Sequence, residues 1–507
     1  MKKRLLLLLI LIITSCNLDK FPDGSISSEQ ALQSVDDVLR FRADMYLNIR
    51  DYLSSGFPIY STEIMSDSFH ASITFGNRNG EYYKWEVTPI FGYIESLWNY
   101  AYYCVTLANF LEDGISRLLQ TELTEGEKAQ LEIVFGEAAF LKAFSMFKCV
   151  QLYCKSYDPS TASSDLGLIL INESVHNPND IASYAGRSSL EETYTYIEQN
   201  LVIAEEKLAT VEGNVGSIYL TKDAVTAFKA RVALAKCDFN TAIAASTSLI
   251  SCGKYPLIDN VVDFKELWTN DSGKECIIQY WADYIKGSIP NSNNYGYIGE
   301  MSNGGYSPNY IPEKWIIDAF STDDIRFQTW FRKIDVTFGT ITGNVYILFK
   351  YPGNPALRSE SAGISNYINR IKDFRIAEQY LIAAESHALR NTSSDISKAC
   401  EYLNALRSKR IIGYTDHNYS GDELMEQIKM ERAKELFAEG FRFTDLKRWN
   451  KGFSRSEAQD KNIITSAGGS NTELLKKDSN NYGWLWPVPQ AEIDSNPQIR
   501  GQQNPGY

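Results

Sequence analysis

The stretch Glu431–Trp449, ERAKELFAEGFRFTDLKRW, sets the strongest limit on how this chain can fold. Glu431, Glu435 and Glu439 recur every fourth residue, a spacing that places them on one face of one helix. Beyond Gly440, Arg442, Asp445 and Arg448 recur every third residue, and Trp449 follows Asp445 by four. Opposite charges at that spacing pair along a helix, and an arginine can also fork onto a carboxylate of a neighbouring helix. A solvated charge run has no use for Phe437, Phe441, Phe443 and Trp449. The mixture therefore predicts a joint between helices, closed by buried ion pairs.

Small residues extend the helical reading. In Tyr219–Leu257, Ala224, Ala227, Ala230 and Ala233 punctuate one helix, a break falls at Cys237-Asp238, and Ala242, Ala245 and Leu249 line the next. Two such helices joined by a tight turn resemble a tetratricopeptide hairpin, because alanine lets helix axes approach closely. Asp373–Arg390 with Ser394–Arg410 repeats the pattern, and Asp422–Trp449 supplies a third unit. Ser28–Leu53, Ile94–Glu112, Glu125–Tyr153 and Leu190–Thr210 add amphipathic helices. The hairpins lie far apart in sequence, which excludes a compact solenoid. The expected fold is mainly α: a tetratricopeptide-like hairpin scaffold with a large irregular insertion of loops and short strands. The insertion covers about residues 261–360, with strand-like pieces at Glu275–Tyr280 and Val345–Tyr351.

The amino terminus reads as an export signal. Lys2, Lys3 and Arg4 precede an apolar run, Leu5–Ile13, too short to span a bilayer. Thr14-Ser15-Cys16 then resembles a bacterial lipobox, which makes residues 1–15 a signal peptide and Cys16 the lipidated first residue of the mature chain. The alternative is an ordinary signal peptide with an incidental cysteine. Residues 16–27 form a lipidated linker and 28–507 a single domain. Acyl chains on Cys16 hold a protein at a membrane without spanning it.

Charge and motif content exclude several functions. A formal net charge of −13 without a basic stripe argues against a nucleic-acid partner. The cysteines after Cys16 form no CxxC, and the four histidines are scattered, so neither a disulfide framework nor a metal site is expected. No cofactor is implied. There is no GxSxG, HExxH or phosphate loop. Paired carboxylates can hydrolyse a glycosidic bond, but no pair stands out among the 63 acidic residues.

Aromatic content points to binding instead. The chain holds 31 Tyr and is 13% aromatic. Sugars offer an apolar C–H face to rings and a rim of hydroxyls to Asp, Asn and Arg. Two aperiodic segments carry that mixture. One is Trp281–Tyr310, with Trp281, Tyr284, Tyr295, Tyr297 and Tyr306 as candidate ligand contacts; the other is Ser66–Trp85, with Asp67, Arg78, Tyr82 and Trp85. The competing reading is that these rings cap the helical core.

The Glu431–Trp449 string, followed by WLWPVPQAEIDSNPQIRGQQNPGY at the end of the chain, resembles the C-terminal signature of the SusD/RagB family. The resemblance also takes in Leu18-Asp19 and Pro22, the helix from Leu97 to Asn109, Asp323, Asp324 and Arg326, the segment Phe374–Ser386, and YLNALRSKR. It implies four tetratricopeptide-like hairpins with an irregular ligand-binding face. It also implies a non-catalytic outer-membrane lipoprotein at the cell surface that captures oligosaccharides for a TonB-dependent, SusC-like transporter. A peptide-binding member is the nearest alternative, and a lipid-anchored glycoside hydrolase or a structural repeat scaffold a more distant one. Binding loops vary across the family, and Asp67 is the position matched most readily to a ligand-proximal acid. Asn109 is read as structural.

Overall fold

The computed structural model describes residues 31–73, 75, 78–172, 185–294, 296–358, 365–455, 458–464 and 476–507. The scaffold helices are α1 (Val35–Asn48), α2 (Phe57–Met65), α3 (Gly92–Leu118), α4 (Glu125–Tyr153), α5 (Leu190–Lys207), α6 (Lys222–Ala235) and α7 (Phe239–Ser251). After the insertion come α8 (Ile376–Arg390), α9 (Ser393–Arg410), α10 (Gly421–Glu435) and α11 (Arg442–Arg448). Local chemistry fixes their starts. Thr124 and Glu127 form a reciprocal capping box at α4, as Ser189 and Glu192 do at α5. The expected helices are all present, with shifted ends.

Three helix pairs pack closely, α3/α4, α6/α7 and α8/α9, and α10 is tied to α11 through Arg432 and Asp445. The insertion separates the second pair from the third in sequence, yet α7 packs directly on α8. Ala230, Ala233, Ala242 and Ala245 meet Ile382 there, the small side chains allowing close approach. α10 packs on α8 in turn. The scaffold is thus one continuous stack from which the insertion projects.

The insertion is tied at its base and holds a core of its own. β2 (Cys276–Ile278), inside the expected strand Glu275–Tyr280, pairs antiparallel with β6 (Phe374–Arg375) immediately before α8. β1 (Phe69–Ala71) pairs antiparallel with β3 (Tyr310–Pro312), His70 opposite Ile311. A hairpin of β4 (Phe331–Phe338) and β5 (Ile341–Leu348) covers Ile298, Ile311 and Ile463. Only its second strand was expected, because Arg332, Lys333 and Asp335 interrupt the apolar pattern of the first.

The charged stretch closes a helix joint, as expected, with one correction. α10 stops at Glu435, so Glu439 does not continue a stripe on the same helix. A turn with positive φ at Ala438 and Gly440 carries Glu439 back to the same cluster. A β-carbon on Gly440 would stand 3.1 Å from Ile59 Cδ1, so α2 presses on this turn. Glu435 takes Arg326, Arg375 and Arg410 at 2.9, 2.8 and 3.0 Å. Glu431 takes Arg326 and Arg407 at 2.6 and 2.7 Å, and Glu439 takes Arg375 and Lys350 at 2.6 and 2.7 Å. Burial opposes ionisation of Glu435, but Arg410, Arg375 and Arg326 more than offset it and hold its carboxyl well below the usual range. Asp445 takes Arg432 and Arg448, while Glu385 of α8 accepts from Arg448 and from the Trp449 indole. Six charged residues of the stretch, Glu431, Arg432, Glu435, Glu439, Asp445 and Arg448, thus lock the joint together.

Candidate functional site

The two aperiodic segments meet in space. The β1–β3 pairing joins them, and Ser72 donates its backbone N–H to the carbonyl of Asn309 at 2.8 Å. Their candidate residues separate sharply by burial, however.

Four of them are built into the interior. Asp67 is 8% exposed and accepts from Arg442 Nε and Nη2 at 2.7 and 2.8 Å; its carbonyl takes the Trp315 indole at 2.7 Å. Its carboxylate, expected as the ligand-proximal acid, is held by the scaffold arginine and turned away from solvent. Tyr82 is 0% exposed and lies against Phe57, Phe91 and Trp486. Trp85 is 6% exposed, donates its indole N–H to the Met65 carbonyl, and touches Phe443, Phe453 and Trp484. Tyr297 is 1% exposed and stacks on Phe69 with ring centroids 4.4 Å apart. Tyr82 and Trp85 are core because the carboxy-terminal segment folds back over the first loop, and Tyr297 is core because Phe69 of β1 covers its face. Asn109 is buried and donates to the Ile171 carbonyl, the structural role expected of it.

The accessible candidates are Arg78, Trp281, Tyr284 and Tyr306. Arg78 is exposed, and its carbonyl accepts from the Tyr310 hydroxyl. Tyr306 is half-buried beside Phe349. Tyr284 is exposed and Trp281 half-buried at the start of the insertion loop. Tyr295 and Cys16 lie outside the described residues.

Trp281 opens on a groove of about 380 Å³ lined by Tyr46, Leu47, Arg50, Tyr219, Tyr280, Lys286 and Ser288 as well. Arg50 builds one wall. It is gripped by Asp51 at 2.7 and 2.9 Å and donates from Nη1 to the Trp281 carbonyl at 2.8 Å and to Ser288 Oγ at 3.1 Å. The chain around it, Ile49–Leu53, is a π-helical turn continuing α1, a local widening that re-aims side chains. Tyr219, 47% exposed, stands edge-on to Tyr46 and under the Arg42 guanidinium. Lys286 reaches over the Trp281 ring at 5.6 Å. Ring faces, a hydroxyl and fixed cations thus share one cleft.

A further group of partly exposed tyrosines escaped the sequence reading. Tyr52 stacks on Tyr100 at 3.8 Å, and Tyr93 on Phe57 at 4.6 Å, with one partner of each pair exposed. Tyr103, also exposed, donates to Asp44 at 3.2 Å. Tyr93, Tyr100 and Tyr103 share one face of α3 by helical spacing, a signal hidden by attention to the loops. Among the described residues no group of three or more His, Cys, Asp or Glu is placed to hold a metal ion, and no helix is long and apolar enough to cross a membrane.

Two family models match the chain. One, described as the SusD family, covers residues 339–507; the other, described as starch-binding associating with outer membrane, covers 18–234. A SusD-like protein of Formosa agariphila is 24% identical over 99% of this chain and 98% of its own. Among solved structures, a SusD superfamily protein of Bacteroides thetaiotaomicron superposes with a TM-score of 0.77 at 22% identity, covering 93% of this chain and all of its own. A surface glycan-binding protein A of Bacteroides fluxus gives 0.66 at 19% identity, covering 93% and 99%. Signature, fold and family models agree: the chain belongs to the SusD/RagB family.

Proposed function

We propose that this protein captures oligosaccharides at the cell surface, held there by acyl chains on Cys16, and delivers them to a SusC-like TonB-dependent transporter without catalysing a reaction. The observation that carries the reading is the groove beside Trp281. A pyranose stacks its C–H face on Trp281 or Tyr219, while Ser288 and Lys286 are placed to bond its hydroxyls. Arg50 fixes the groove wall in advance, which lowers the ordering cost of binding. The starch-binding description of one matching family model and the glycan-binding structural neighbour support the ligand class.

The experiment is a glycan array with the purified mature chain, followed by calorimetry on any hit and a turnover assay on the same sugar. Binding without turnover supports the reading. An array without a single hit, or hydrolysis of a bound sugar, would overturn it. Co-purification of the transporter from membranes tests the partner, and loss of membrane association in Cys16→Ser tests the anchor.

A further inference from the structure

A second, small cavity of about 40 Å³ lies where α4, α6, the segment before α8 and the insertion loop meet. Six charged residues line it: Lys148, Arg231, Arg370, Lys372, Asp373 and Glu439. Three are matched by partners. Arg231 holds Glu378 at 2.7 Å, Lys372 holds Asp271 at 2.6 Å, and Glu439 is held by Arg375 and Lys350.

The other three do not balance. Lys148 makes no hydrogen bond or ion pair among the described residues, and its ammonium lies 5.1 Å from the centroid of the Phe144 ring. Arg370 Nε is buried without an acceptor, and the guanidinium's hydrogen bond is a long one, 3.5 Å from Nη2 to the Ala282 carbonyl. Asp373 accepts from Ser54 Oγ at 2.5 Å and, among the described residues, has no cation within ion-pair distance. Two cations therefore face one carboxylate across a shared space, leaving one positive charge in excess. Burying an uncompensated charge is strongly unfavourable, and a cavity lined by it is a place for its counter-ion.

We propose that this cavity binds a small monovalent anion of the halide class. Lys148 offers three N–H donors and Arg370 Nε one, all uncommitted among the described residues. A single negative charge closes the balance, whereas a dianion would overshoot it and face the carboxylates of Asp373 and Glu439. Trp268, Ile59 and Phe441 supply apolar wall, which suits a weakly hydrated ion. The site is separate from the sugar groove but touches the same loop. Asn293 lines the cavity, and its Oδ1 accepts from the backbone N–H of Gly56 at 2.8 Å. A bound anion thus ties the base of the insertion loop to α4 of the scaffold, independently of the ligand read for the groove.

The test uses the full mature chain. Crystals grown in sodium bromide, measured at the bromine edge, should show an anomalous peak in the cavity within bonding distance of Lys148 Nζ and Arg370 Nε. In solution, bromide or chloride should raise Tm by about 2 °C or more over gluconate at equal ionic strength. Lys148→Met should abolish that difference, with Arg370→Gln as the second variant if the first does not fold. Ordered water without anomalous signal, or equal stabilisation by gluconate, overturns the proposal.

Discussion

Arg442 forks onto Asp67 across 375 residues of chain, at 2.7 and 2.8 Å. The pair connects the charged joint of the last hairpin to the loop that the sequence offered as a ligand site. It turns one candidate contact into a strut. Asp67→Asn keeps the shape and removes the charge, leaving a mostly buried guanidinium without its counter-ion. Stability should fall by about 2–3 kcal/mol in urea unfolding, while sugar affinity stays within about twofold. A large loss of affinity with unchanged stability would return Asp67 to the ligand site.

The arginines around Glu435 predict a larger effect. Arg326, Arg375 and Arg410 all meet that one carboxylate in a fully buried setting. Glu435→Gln should cost about 3–5 kcal/mol, because breaking a buried pair strands the charges left behind. Equilibrium denaturation of the variant measures it, and a change below about 1 kcal/mol would mean that solvent reaches the cluster.

Two kinds of ring should behave in opposite ways. Tyr297→Ala removes a core ring stacked on Phe69 and should destabilise the fold by about 3–5 kcal/mol. Trp281→Ala and Tyr219→Ala should each leave stability within about 1 kcal/mol and weaken sugar binding roughly tenfold. Calorimetry beside thermal melts separates the two. Unimpaired binding in the Trp281/Tyr219 double variant would move the ligand to the Arg78 and Tyr306 surface.

Stability should rise as pH falls from about 7 toward 5. Burial pushes both Glu63 and Glu313 up to about 7, against which their hydrogen bonds to Ser68 and His70 work only in part. Between the ordinary glutamate value and 7 the folded protein keeps protons that the unfolded chain has released, so lowering pH favours the fold. Lys350 and Lys477, held down to about 8 chiefly by burial, act higher up, where falling pH costs stability. Below pH 4 the sign reverses. Burial opposes ionisation of Glu435 and Asp445, but their arginine partners hold both carboxyls below the usual range. The stability these pairs contribute is lost as protons reach them. Urea midpoints measured from pH 4 to 8 should peak near 5, and a steady rise up to pH 8 would contradict the assignment.

Much of the scaffold was legible because its signals are local. Alanine spacing located α6 and α7, apolar periodicity located α4 and α5, and the Glu431–Trp449 pattern foretold buried ion pairs. The β4 strand was missed because Arg332, Lys333 and Asp335 point to solvent and break the apolar run. Glu439 was misplaced because helical spacing continues through a sequence whose backbone turns at Ala438.

The site was less legible, for a different reason. Sequence by itself determined the helical hairpins, the charged joint and the family, since each rests on residues that interact at short, regular spacing. It also marked which segments are rich in rings. Only the tertiary structure decided which rings face water, because that depends on chain arriving from hundreds of residues away. The carboxy-terminal segment buries Tyr82 and Trp85, β1–β3 packing buries Tyr297, and Arg442 claims Asp67. Tyr219 and Trp281 stay open on the groove because Arg50 holds the loop beside them and, among the described residues, no later segment covers it.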